Sequence, residues 1–98
     1  MDSVLVVGYL EYMRYARAVL YANNLRERSH FCIFQYLIDY FDGDLNYYGR
    51  TGPTYRIARE ELQYNYKRID KQIVNNLLLD AKNLRIVVEK YLKEKNKI

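Results

Sequence analysis

The stretch from Thr54 to Leu92 limits what this chain can fold into more than any other part of it. Apolar residues recur first at Tyr55, Ala58 and Leu62, then at Ile69, Ile73, Leu77, Ala81, Leu84, Val88 and Leu92. Steps of three and four residues put each set on one side of an α-helix. The repeat breaks at Gln63-Tyr64-Asn65, so two helices are expected. The first begins at Pro53 or Thr54 and runs to about Gln63. The second opens near Asn65 or Tyr66, with Asn65 as its cap, and continues to about Glu94. At ~1.5 Å per residue the second helix would span roughly 45 Å, longer than a chain of 98 residues covers by itself. Either it breaks near Asn83 or its far end packs on a second copy.

The first half carries two more helical patterns. Asp2 or Ser3 can cap a helix running to about Ala22, with Leu5, Tyr9, Tyr12 or Met13, Ala16 and Val19 or Leu20 inward, or Val4 to Val7 before Gly8 can form a short strand instead. Asn23-Asn24 is the expected stop, and Glu11, Arg14 and Arg17 fall on the outer side. Ser29 can cap a second helix whose core side is Phe31, Phe34, Leu37 or Ile38, and Phe41. Asp42-Gly43 ends it with turn chemistry. Asn46 to Pro53 (NYYGRTGP) concentrates glycine and proline, and is expected to be a connector loop at 46–53 exposing Tyr47, Tyr48 and Arg50 as a contact surface. The expected fold is therefore all-α. It is a small bundle of four helices in one domain, 1–98, with a helical pair over 1–45, the connector, and a last unit over 54–95 ending in a long helix.

Several chemistries are excluded or disfavoured by what the chain lacks. His30 and Cys32 are its sole histidine and cysteine, so a closed zinc site would need carboxylates or a second chain. Cys32 sits among Phe31, Ile33 and Phe34, which suggests a buried thiol in a reducing, cytoplasmic setting (the host cytoplasm for a viral protein). Asp42 to Pro53 begins like a calcium loop but holds Tyr47 and Pro53 where that loop requires Gly and Glu. No glycine-rich nucleotide loop or catalytic constellation is present, so no enzyme, no cofactor and no metal are expected. Val4 to Ala22 is long enough to cross a bilayer, but Glu11, Arg14 and Arg17 argue against a membrane span.

Charge is uneven. Residues 1–50 carry five Lys and Arg against six acids, a net of −1, whereas residues 51–98 carry eleven against six, a net of +5. The excess lies beside the second apolar stripe, where Lys67, Arg68, Lys71, Gln72 and Asn75 share the front of the last helix. A basic patch attracts phosphate regardless of sequence, while Arg, Lys, Gln and Asn are the side chains that reach base edges. A short helix, a tight break and a second helix with such a front make a helix-turn-helix pattern.

The run Leu62-Gln-Tyr-Asn-Tyr-Lys67-Arg68-Ile69-Asp70-Lys71-Gln72-Ile73 resembles the helix-turn-helix of sigma-70 family region four. Ile57-Ala58 and Glu61-Leu62 fall where that family has similar pairs. The resemblance covers about 54–92. It implies an all-helical unit that places its second helix in the major groove of double-stranded DNA, with Lys67, Arg68, Lys71 and Gln72 toward the groove and Ile69 and Ile73 in the core. The expected function is that of a small DNA-binding transcription regulator of viral or mobile-element type, acting as a homodimer. The competing expectation is a small helical protein–protein interaction module, an inhibitor or adaptor, that uses exposed Tyr and Arg and ignores DNA. Twelve tyrosines and no tryptophan suit surfaces of either kind.

Overall fold

A computed structural model describes residues 2–26, 30–65 and 70–96, and places them in four α-helices with no strand among the described residues. They are α1 (Asp2–Ala22), α2 (His30–Tyr40), α3 (Gly43–Asn65) and α4 (Lys71–Asn96). The chain is a small all-α bundle, as the periodicity indicates.

Helix α1 sits at the centre of the packing and touches the other three. Its inner stripe is the one read from the sequence: Leu5, Tyr9, Tyr12, Met13, Ala16, Val19 and Leu20 are all buried. Its end is a Schellman motif. Asn24 adopts a left-handed φ of 62°, its N–H bonds to Tyr21 O at 3.0 Å, and the Leu25 N–H reaches Leu20 O at 3.0 Å. Asn tolerates that conformation better than most residues with a side chain, which is why the chain stops there.

Helix α4 lies alongside α1 and parallel to it. Gly8 meets Leu77 and Leu78 near one end. At the other, Asn23 Nδ2 donates to Tyr91 Oη at 3.0 Å and Lys95 Nζ donates to Asn23 Oδ1 at 2.9 Å. Val74, Leu77, Ala81, Leu84 and Val88 are buried between them. The helix runs unbroken through Asn83, with α1 packed along it from Leu77 to Lys95. Its cap is Asp70: Oδ1 accepts from the Gln72 N–H at 2.9 Å, and the Asp70 carbonyl accepts from Ile73 and Val74. The expected break at Gln63–Asn65 is corrected, since those residues are the last of α3. Nothing in Gln, Tyr or Asn forbids a helical backbone, so a pause in the apolar period does not by itself end a helix. The junction at 66–69 lies outside the described residues, and so do Ser29 and Ile69.

The largest correction concerns the connector. Residues 46–53 are not a loop; they lie inside α3, Pro53 included. Their glycines serve contact with α2. A Cβ on Gly52 would stand 2.2 Å from the Phe34 ring, and one on Gly49 would stand 2.8 Å from Leu37 Cβ and 2.9 Å from Phe34 O. Bare backbone at both positions lets α2 and α3 approach as an antiparallel hairpin. Gly43, with φ +67° and open space around it, forms the joint. Asn46 then ties the pair together, its Nδ2 donating to Ile38 O at 2.9 Å and Phe41 O at 3.0 Å, carbonyls that the end of α2 leaves free.

Among the described residues, four tyrosines serve the interior. Tyr9, Tyr12, Tyr48 and Tyr55 are buried, and Tyr12 stands edge-on to Tyr48 and Tyr55 at 6.2 and 5.5 Å between ring centroids. Cys32 is exposed, contrary to expectation. The buried side of α2 is Ile33, Phe34 and Leu37, which turns position 32 toward solvent.

Candidate functional site

Of the five side chains expected to face nucleic acid, Lys67 and Arg68 lie outside the described residues. Lys71, Gln72 and Asn75 occupy the first turns of α4, and all three are exposed. At ~100° per residue they fall within about 100° of arc, on the side away from the Val74–Leu77–Ala81 stripe. Gln72 Nε2 donates to Asn76 Oδ1 at 3.3 Å, which steadies the amide beside the cap. The same outer side continues through Lys82, Lys90 and Lys93, three exposed ammonium groups that make no ion pair among the described residues. Arg85 is tied to Glu89 at 3.0 Å.

No acid occupies the first turn of α4 beyond its cap, and Lys71 stands at the positive end of the helix dipole. A cation there opposes the helix's own electrostatics. It strengthens the attraction of that end for an anion.

The expected interaction loop does not survive as a unit. Tyr48 is buried and its carbonyl accepts a hydrogen bond from the Tyr12 hydroxyl. Burial pushes the Tyr48 phenol up to about 12, with the Asp80 and Asp44 carboxylates adding to the rise. Arg50 is exposed, its Nε donating to Asn46 Oδ1 at 2.7 Å. Tyr47 is 42% exposed and donates a long 3.4 Å hydrogen bond to Asp80. Tyr47 and Arg50, three residues apart on α3, share one exposed side, whereas Tyr48 is turned inward, so the three do not form one surface.

Sequence reading missed Asp80, the buried acid of α4 at 9% exposure. Its Oδ2 accepts from the Tyr55 hydroxyl and, more distantly, from Tyr47. Burial is the main cause that raises the Tyr55 phenol above its ordinary value, and the bond to Asp80 adds to it. A signal existed: Asp80 lies three residues after Leu77 and four before Leu84, on the edge of the buried stripe where a charge is costly.

A second missed feature is an apolar groove of about 430 Å³ between α1 and α4, floored by Val4, Val7, Gly8, Leu78 and Ala81. Glu11 borders it on one side, Lys82 and Arg85 on the other. Val7 is 58% exposed and Leu78 42%, so these apolar side chains are open to a partner.

No protein family, no curated protein and no solved structure matches the chain at a significant level. Among the described residues, no helix is long and apolar enough to cross a membrane.

Proposed function

We propose that this protein binds double-stranded DNA through the first turns of α4, as a small regulator of transcription of viral or mobile-element type. The observation that carries the reading is the exposure of Lys71, Gln72 and Asn75 together at the start of a helix whose opposite side is locked into the core. Recognition helices read bases from their N-terminal residues. Gln and Asn match adenine, and Lys matches guanine or a phosphate. The ammonium groups of Lys82, Lys90 and Lys93 add non-specific attraction along the same side.

Binding to a mixed-sequence duplex, followed by fluorescence anisotropy, tests this. Affinity is expected to fall steeply with salt, the slope of log K against log salt being about −0.9 for each phosphate neutralised. Replacing Lys71 and Asn75 by Glu should weaken binding at least about tenfold, while the helix itself gains from acids near its N-terminus. Binding that ignores both salt and the charge reversal would refute the reading.

A second reading, a helical interaction module that leaves DNA alone, has one observation in its favour, the α1–α4 groove. Its apolar floor suits a helix from another chain. The simplest such chain is a second copy, because Glu11 on one wall and Lys82 on the other are mutually complementary under a two-fold axis. On that reading Val7→Glu abolishes self-association in sedimentation, and duplex DNA is not retained at physiological salt.

A further inference from the structure

Asp80 stands at the back of a second groove, about 360 Å³, between α3 and α4. Helical spacing builds its walls. Tyr47, Thr51, Thr54 and Tyr55 lie one turn apart along one side of α3, and Ile73, Asn76, Leu79 and Asp80 do the same on α4. Both hydrogen bonds to the carboxylate fall on Oδ2. Among the described residues, its other oxygen, Oδ1, accepts no hydrogen bond, and no Lys or Arg pairs with Asp80. Asp80 thus lines the groove with an oxygen that no described donor uses, where a cationic donor would be both paired and hydrogen-bonded.

The remaining lining says what would fit. The hydroxyls of Thr51 and Thr54 and the Asn76 carbonyl oxygen can each accept from an N–H donor. The rings of Tyr47 and Tyr55 border the same space, and aromatic rings attract cations. Ile73 and Leu79 give an apolar wall for a short aliphatic chain. One carboxylate balances one positive charge, and the neutral oxygens around it are too few and too weak to hold a divalent ion, which takes six or more hard ligands.

We propose that this groove binds a primary alkylammonium group, with Asp80 as its counter-ion and Thr51, Thr54 and Asn76 as acceptors for its protons. The group is carried by a free aliphatic diamine or by a lysine side chain. This site lies on the α3 side of α4 and does not depend on the DNA reading.

Titration of n-butylammonium chloride into the isotope-labelled protein, followed by amide NMR, tests the proposal. Saturable shifts are expected at Thr51, Thr54, Asn76 and Asp80. The uncharged n-butanol and the Asp80→Asn variant should each bind at least about tenfold more weakly, as removal of a charged hydrogen bond implies. Equal binding of butanol, unchanged binding in Asp80→Asn, or shifts that never saturate would overturn the proposal and leave Asp80 as a clamp between α3 and α4. Should Asp80→Asn fail to fold, Thr51→Leu decides instead: it fills the groove and leaves the Tyr55–Asp80 bond in place. Loss of binding is expected there, and retained binding would overturn the site. Parallel titrations with 1,5-diaminopentane and with an Nα-acetylated lysine amide support the site if either saturates, and the tighter of the two names the source. Saturation by neither would overturn it.

Discussion

The two helix pairs of this bundle are held by different means. Helices α1 and α4 run parallel and meet through large apolar side chains repeated every three or four residues, with Leu5, Leu77, Leu84 and Val88 buried along the seam. Helices α2 and α3 run antiparallel and meet through absence, two glycines under a phenylalanine and a leucine. The first kind of contact is written in the sequence as periodicity. The second is written in residues that usually signal a turn, so it reads as a loop until the partner helix is seen.

Substitutions should separate the two modes. Leu84→Ala, in the α1–α4 seam, is expected to cost the most, about 2–5 kcal/mol, because it removes transfer energy and leaves a cavity. Gly52→Ala sharpens the contrast by its sign. Helix propensity alone would make alanine about 1 kcal/mol better than glycine within α3. The Cβ, however, would sit 2.2 Å from the Phe34 ring, and overpacking of that kind costs about 1–3 kcal/mol. Net destabilisation in chemical denaturation is therefore expected. A stabilised Gly52→Ala protein would mean that α2 and α3 are not in close contact.

The smallest effect appears only in strong alkali and belongs to the tyrosines that join α1 to α3. Burial raises the Tyr9 and Tyr48 phenols to about 12, and raises Tyr12 and Tyr55 as well. Below about pH 9 these phenols are neutral in both folded and unfolded chains and contribute no pH dependence. Above it the unfolded chain releases protons that the folded chain keeps, so stability falls as pH rises, by up to about 1.4 kcal/mol per pH unit for each phenol. Tyr48→Phe should flatten the fall, measured as denaturation midpoints between pH 9 and 11.5. An unchanged slope would place the Tyr48 hydroxyl in water.

What was legible follows the same division. Every buried position expected of α1 is buried, and Leu77, Ala81, Leu84 and Val88 of α4 likewise, because a long amphipathic helix has one way to hide its stripe. The stop at Asn23-Asn24 was legible from backbone chemistry. The start of α3 was not, since Gly49, Gly52 and Pro53 mean a connector by local rules and a close approach by tertiary ones. Of the proposed DNA-facing residues, Lys71, Gln72 and Asn75 could be placed on one exposed helix front from spacing alone. Tyr47, Tyr48 and Arg50 could not, because their grouping depended on the loop. Asp80 was hidden by its type: an acid on a basic helix reads as solvated until Tyr55 is found beside it.

The claim on which the functional account rests is that α4 uses its inner side to close the fold and keeps its first turns free for DNA. Amide NMR of the protein titrated with a mixed-sequence duplex at low salt tests this most directly. Shifts are expected to concentrate at Lys71, Gln72 and Asn75 and to reverse when salt is raised to about 200 mM. Shifts confined to Val4, Val7, Gly8 and Leu78, or no shifts at all, would contradict it.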